Sequence, residues 1–306
     1  MRIIISLVIA AIVVNLEAQK ASIPFYINEF NRIILVYPIN NKTLHLLFDS
    51  AIPFNLIDKD ISENINFARP NNNKIQQIST IANIPLNVII HDGVQPYKQD
   101  SIFWGGWMLT DMKETAKILQ LGEKIDGIVG YESNYILELD FKRNKLLVWE
   151  TFPKGCFSVK RTQKIKLVDS DYRGTYQLFL GNIRTSIQSE LTVLDTVKLQ
   201  PNLILDTGFP LSVSMVIYDS LLMKKLIEFR KQKGNSHSTT RLRIPELRVD
   251  SIFTGLSVID KSVVNNDGVN PYRNAIGGLL GVAFMRKYKR VIIDRKNQLA
   301  WFEKFE

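Results

Sequence analysis

Cysteine is almost missing from this chain: Cys156 is the only one in 306 residues. A single cysteine closes no intrachain disulfide, so the fold must rest on core packing. Histidine is nearly as scarce. His45, His91 and His237 lie far apart, without the paired spacing of a zinc site and without a His-Glu-x-x-His run. That pattern argues against a metalloenzyme and leaves the three as ordinary strand or loop residues. No Gly-x-Ser-x-Gly elbow is present, which removes the usual α/β-hydrolase entry. Gly277-Gly278-Leu279-Leu280-Gly281 is rich in glycine but lacks the Lys-Ser/Thr of a nucleotide site, and a tight backbone crossing explains its glycines better. No metal or organic cofactor is expected.

What remains is an ordinary globular composition with an excess of positive charge. With 45% hydrophobic and 23% charged residues, the chain is neither disordered nor fibrous. Lys and Arg number 39 against 30 Asp and Glu, a formal net charge of +9. Basic residues gather at 230–243 and in Arg286-Lys287-Tyr288-Lys289-Arg290, which a loop and a strand-flanking helix would hold as solvated charge.

The N-terminus bears on where that charge acts. Met1-Arg2 precedes an uncharged run from Ile3 to Val14, followed by Asn15-Leu16-Glu17-Ala18-Gln19. This is the pattern of a secretory signal peptide over residues 1–18, cleaved after Ala18, and its apolar run is too short to span a bilayer comfortably. Leu16 is an imperfect residue for that cleavage, so an uncleaved membrane anchor stays open. No Cys follows the run, which argues against a lipoprotein. Export without disulfides points to the bacterial periplasm or the cell exterior. An exported protein rarely meets nucleic acid, so none is expected as a partner. The positive charge suits attraction to an anionic envelope surface or an acidic substrate.

Runs rich in Ile, Val, Leu and Phe, separated by Asn, Gly, Pro and Lys turns, outnumber helical periods, so the fold is expected to be mainly β. Residues 217–231 and 110–121 are the two clearest helical stretches. The strongest organisation is a repeat. Leu203-Ile204-Leu205-Asp206-Thr207-Gly208-Phe209-Pro210 is echoed by Leu46-Leu47-Phe48-Asp49-Ser50-Ala51-Ile52-Pro53. A strand and turn precede each copy, Ile33 to Asn41 in one case and Tyr176 to Ile183 in the other. Downstream, Ile125-Asp126-Gly127-Ile128-Val129-Gly130 matches Ile276-Gly277-Gly278-Leu279-Leu280-Gly281. Each leads to an apolar strand, an Asp, a basic turn with Asn, and a strand holding Trp: Leu137 to Trp149, and Val291 to Phe302. Such duplication implies two similar lobes, residues 19–155 and 156–306. Cys156, in Pro153-Lys154-Gly155-Cys156-Phe157, reads as part of the stretch joining them rather than as a nucleophile.

On these residues the chain resembles the pepsin-like and retropepsin-like aspartic proteases, over nearly its whole mature length. In that family each half carries an apolar-apolar-Asp-Thr/Ser-Gly loop and an apolar-apolar-Gly segment wrapping behind it. The resemblance implies a bilobal, mainly β acid-protease fold with few short helices, and places Asp49 and Asp206 on the two aspartates. It further implies that the hydroxyls of Ser50 and Thr207 bond across to the opposite loop's backbone. Ala51 departs from the family's usual glycine, while Gly208 keeps it. Alanine there costs little if its backbone is extended and about 1 kcal/mol or more if φ is positive.

Two carboxyls a few ångström apart cannot both ionise, and so divide the roles of base and acid that amide hydrolysis needs. The expected activity is that of an aspartic endopeptidase acting on peptides or proteins as a monomer. A catalytically inactive, peptide-binding relative is the alternative that Ala51 leaves open. Which aspartate starts ionised is not legible from sequence. A covering hairpin, as in the family, is expected between residues 71 and 107, with 74–84 the best segment for it. Asp92-Gly93-Val94-Gln95-Pro96-Tyr97 and Asp267-Gly268-Val269-Asn270-Pro271-Tyr272 resemble each other without an evident reason.

Overall fold

The short β-branched and aromatic runs do form strands. The computed structural model describes residues 19–39, 42–52, 55–62, 74–79, 85–90, 107–122, 124–130, 134–153, 158, 160–169, 185–193, 197–217, 224, 228, 239–254, 257–260 and 277–306. Among them the fold is mainly β, with a few short helices. The segment read as a signal peptide, Cys156, His91, His237, the approach at 176–183 and both Asp-Gly-Val turns lie outside the described residues.

In the N-terminal half, β1 (Gln19–Ile27), β2 (Ile33–Ile39) and β3 (Lys42–Phe48) form an antiparallel meander. The chain then turns through Asp49 into β4 (Asn55–Asp58). β5 (Lys74–Ser79) and β6 (Pro85–Ile90) pair as antiparallel strands, and β7 (Trp107–Thr110) lies parallel to β4. β8 (Gly127–Val129) inserts between β3 and β4, parallel to the first and antiparallel to the second. β9 (Ile136–Asp140) and β10 (Lys145–Trp149) close the half as a hairpin.

The C-terminal half repeats this arrangement. After β11 (Thr162–Lys166) come β12 (Val168–Asp169) and β13 (Thr185–Gln188), then the side strands β14 (Glu190–Val193) and β15 (Val197–Leu199). β16 (Asn202–Leu205) leads through Asp206 to β17 (Val213–Ile217). β18 (Thr239–Ile244) and β19 (Val249–Thr254) join β14 and β15 in a 4-stranded sheet. β20 (Ser257–Asp260) runs parallel to β17, and β21 (Gly277–Leu280) inserts between β16 and β17. β22 (Tyr288–Asp294) and β23 (Leu299–Lys304) form the final hairpin. The order β2-β3-β8-β4-β7 in one half is thus matched by β13-β16-β21-β17-β20 in the other.

Burial explains why these central strands are fixed in place. Leu46, Leu47 and Phe48 are all buried, as are Leu203, Ile204 and Leu205. Consecutive burial marks strands covered on both faces, which polar alternation would not tolerate. Leu46, Phe48, Leu203 and Leu205 belong to a core that continues through Val129, Leu139, Leu280, Val291 and Phe302 and draws on both halves, while Leu47 and Ile204 join smaller clusters. The two closing hairpins turn alike. Asn144 and Gln298 both take left-handed backbone, at φ 53 and φ 52. In each turn the preceding aspartate, Asp140 or Asp294, accepts a backbone N–H through Oδ1. Asparagine tolerates that conformation better than most residues.

The halves are hydrogen-bonded to each other. β9 pairs antiparallel with β22, so one 13-stranded sheet runs from β11 and β23 through β22, β9, β10 and β1 to the β5–β6 pair. Across this seam lies a buried ionic network. Arg290 reaches Glu138 at 3.3 Å and also bonds Glu303, while Trp149 Nε1 donates to Glu138 Oε2 at 3.0 Å. Lys289 meets Glu303 at 3.0 Å. Burial pushes the Glu138 carboxyl above its ordinary value of 4.5, against the pull of Arg290. The basic run Arg286 to Arg290 is therefore not simply solvated charge, because Arg290 is buried and Lys289 is half-buried. Of the other run, Arg241 and Arg243 are exposed and pair with Asp250 and Glu190.

Two helical expectations shift. The segment 110–121 is helical only over Met112–Ile118, because Thr110 completes β7 and Asp111 caps the helix with its side chain on the Glu114 N–H. Ile217 closes β17 instead of starting a helix; of the residues after it in that stretch, only 224 and 228 are described, and both are helical. In the segment expected to hold a covering hairpin, β5 and β6 pair as antiparallel strands, while 80–84 lie outside the described residues. Among the described residues no helix is long and apolar enough to cross a membrane.

Removing the shared cation of the seam should be costly. Arg290→Met is expected to lower unfolding free energy by about 3–5 kcal/mol in denaturant titrations at pH 7, since it leaves buried Glu138 without its cation and Glu303 with Lys289 alone. The deficit should shrink as pH falls towards the ordinary glutamate range, as the raised Glu138 carboxyl takes up its proton.

Candidate active site

The two insertions of β8 and β21 create the site. Each displaces the chain between neighbouring strands into a loop, and each loop begins with an aspartate. Asp49 N donates to the Val129 carbonyl at 2.9 Å, and Asp206 N to the Leu280 carbonyl at 3.0 Å. Within the loops, Asp49 Oδ1 accepts from Ala51 N at 2.9 Å and Asp206 Oδ1 from Gly208 N at 2.8 Å. Asp206 Oδ1 also accepts from Phe209 N at 3.1 Å.

The loops meet tip to tip through their second residues. Ser50 N donates to Thr207 Oγ1 at 2.7 Å, and Thr207 N donates to Ser50 Oγ at 3.1 Å. Each hydroxyl then passes its own proton deeper into the opposite half. Ser50 Oγ donates to the Leu205 carbonyl at 2.9 Å, and Thr207 Oγ1 to the Phe48 carbonyl at 3.0 Å. Both residues are buried, and each hydroxyl both donates and accepts, the arrangement that satisfies a buried hydroxyl. Serine and threonine serve equally here because the bonds use only the hydroxyl.

The third residues differ, and the structure gives the reason. A Cβ at Gly208 would stand 2.3 Å from Asp49 Oδ2 and 2.4 Å from its Cγ. Glycine is needed there for space. Ala51 has no such conflict: it is not among the residues with positive φ, and its methyl is buried in a small cluster with Ile204, Leu279 and Phe209. Alanine is accommodated without backbone strain. Gly281 supplies the tight crossing behind the second loop, where a Cβ would lie 2.3 Å from the carbonyl oxygens of both Phe209 and Leu211. Its counterpart Gly130 donates to the side chain of buried Asn55 at 3.0 Å.

All six residues singled out in the sequence, Asp49, Ser50, Ala51, Asp206, Thr207 and Gly208, are thus brought to one place. Their environments are unequal. Asp206 is buried at 5% exposure, whereas Asp49 is half-buried. Burial, then the charge of Asp49 and a hydrogen bond with it, push the Asp206 carboxyl well above the ordinary value of 3.8. Burial and the neighbouring carboxylate therefore favour the protonated form of Asp206.

Two arginines at the site went unrecognised in the sequence. Arg32, at the start of β2, donates through Nη1 to the Gly208 carbonyl. Arg295, in the β22–β23 turn, donates through Nη2 to the Ser50 carbonyl. Each comes from one half and grips the loop of the other. Arg295 lies in the repeated Asp-basic-turn tail, which was a signal of sorts, whereas nothing in the spacing marks Arg32. His45, by contrast, is a β3 residue whose ring meets Tyr26 edge-on. Among the described residues no group of three or more His, Cys, Asp or Glu is placed to hold a metal ion.

The asymmetry is testable by stability alone. Gly208→Ala should cost about 1–3 kcal/mol through overpacking against Asp49, while Ala51→Gly should cost about 1 kcal/mol through lost burial and added chain entropy. Thermal unfolding of both variants separates the two cases. A raised carboxyl stabilises the fold fully below its unfolded value, and that contribution is lost as pH climbs towards its folded value. Asp206→Asn should therefore stabilise the protein at neutral pH relative to the parent, with a gain that vanishes below about pH 4.

No family model matches the chain, and no curated protein matches it. Among solved structures it is similar to basic 7S globulin from soybean, with a TM-score of 0.48 and 10% sequence identity over 92% of this chain and 94% of that one.

Proposed function

We propose that the chain is an aspartic endopeptidase. One observation supports the reading: two carboxylates from separate halves stand on interlocked loops, and burial beside Asp49 raises the Asp206 carboxyl well above its ordinary value. Like-charged neighbours that share one proton supply a base and an acid at the same point. In this reading Asp49 is the base and removes a proton from water as its oxygen attacks the peptide carbonyl carbon. Asp206 gives its proton to the carbonyl oxygen, so the tetrahedral intermediate forms as a neutral diol. Collapse breaks the C–N bond. The proton held by Asp49 moves to the departing nitrogen, and Asp206 recovers a proton from a diol hydroxyl.

Specificity has one visible contributor. Leu211 is 49% exposed just beyond the Asp206 loop, following Phe209 and Pro210. An exposed apolar side chain so close in sequence to the Asp206 loop favours apolar residues beside the scissile bond. Export to the periplasm or cell exterior, action as a monomer and association with an anionic envelope surface belong to the same proposal; all rest on the sequence.

Cleavage of a mixed peptide library from pH 3 to 8 tests the reading. The rate should follow a bell-shaped profile whose alkaline limb lies well above pH 4, because that limb reports loss of the Asp206 proton. Asp49→Asn and Asp206→Asn should each reduce turnover by about 10²–10⁴-fold or more, and a pepstatin-type transition-state mimic should inhibit the parent. Folded protein that binds peptides without turnover at any pH would replace this reading with a peptide-binding role.

A further inference from the structure

We propose that Arg32 is a positioning residue whose guanidinium, tied to the Gly208 carbonyl beside both aspartates, holds the pair at one negative charge and so sets the pH range in which the site works. The inference rests on the aspartic-dyad reading and adds to it a residue outside both loop motifs.

The geometry begins with Gly208. Its N–H donates to Asp206 Oδ1, and the face where a side chain would be lies 2.3–2.9 Å from the carboxylate atoms of Asp49. This one residue touches both carboxylates. Its carbonyl is the acceptor of Arg32 Nη1, so a full positive charge sits one peptide unit from the pair. The contact joins the halves over 176 residues of sequence.

Arg32 is also held there at some expense. It half-buries its side chain, and its Nε–H is buried with no hydrogen-bond partner. The residue before it, Asn31, takes left-handed backbone at φ 57. The turn over residues 28–32 is pinned from both sides. Asn28 Oδ1 accepts from Arg32 N at 2.9 Å and Asn28 Nδ2 donates to the Leu121 carbonyl at 3.2 Å, while Arg286 of the other half bonds Asn31 Oδ1. Burial disfavours the charged guanidinium, and Asp49 and Asp206 are the two groups that oppose this. A desolvated cation that depends on two carboxylates is a counter-ion, and the dependence is mutual. Without it the negative charge on Asp49 would stand next to buried Asp206 uncompensated, and the pair would take up a second proton at a higher pH. Among the described residues, the charged groups beside the two loops are Arg32, just before β2, on the Gly208 carbonyl and Arg295, in the β22–β23 turn, on the Ser50 carbonyl. Arg295 is retained in every variant below, so its field is common to all.

Carboxyl NMR titration of the purified chain, with ¹³C-labelled aspartate, reads the charge state without requiring turnover. In Arg32→Gln both transitions of the pair should move up by about one pH unit or more, because a lost cation disfavours both ionisations. Arg32→Lys should recover at least half of that shift. The bell in kcat/KM should move up with the transitions. A lower melting temperature with unmoved transitions would reduce Arg32 to a structural clamp and overturn the proposal. Should Arg32→Gln not fold, the Asp206→Asn protein decides with Arg32 in place: Asp49 titrating below the ordinary aspartate value supports the counter-ion, and titration at or above it does not. If no protein cleaves peptides yet the transitions shift as stated, the endopeptidase reading fails and the charge assignment stands.

Discussion

Two buried hydroxyls hold this molecule's centre together. Ser50 and Thr207 are 157 residues apart in the chain, yet each accepts the other's backbone N–H and donates into the strand behind it. The partner of each is the backbone of the opposite half, so neither hydroxyl is satisfied by its own half alone. A buried hydroxyl without a partner costs far more than an ordinary hydrogen bond contributes. The loops consequently have one low-energy docking, and that docking fixes the distance between the carboxylates. The strands that present the loops, the glycine crossing behind the second one and the arginines that grip each loop from across the seam all follow from meeting this condition.

Within a symmetric frame the two halves have diverged. The third loop position is glycine where a side chain would strike Asp49, and alanine where a methyl finds an apolar niche. The second carboxyl is more deeply buried than the first. The deeper burial raises the proton affinity of Asp206, a bias that a strictly symmetric pair would lack. Fusing both halves in one chain makes such divergence possible, since each position exists once and a change in one loop is not copied in the other.

Much of this was legible in the sequence because duplication is a pattern of residue types, and residue types report burial. Apolar triplets before each aspartate signalled the strands that lead into the loops, and the Asp-basic-turn tails signalled the matched hairpins. Helix ends were less legible: Asp111 looked like part of a helical stretch, but its side chain serves as the cap. Arg290 looked like one more surface charge in a basic run. Only the register of β22 against β9 and β23 turns it inward between Glu138 and Glu303. Arg32 carried no local signal at all. Its role depends on where a residue 176 positions away places a carbonyl, and no short-range pattern encodes that.

The seam between β9 and β22 has a consequence for how the chain is made. Synthesis runs from the N-terminus, so β9 and β10 leave the ribosome long before β22 and β23. Until those late strands arrive, β9 presents an unpaired edge, and Glu138 is an acid whose counter-ion does not yet exist. An open strand edge invites pairing with other chains. The first half therefore reaches its finished form only when β22 is available, and until then the molecule remains exposed at its middle.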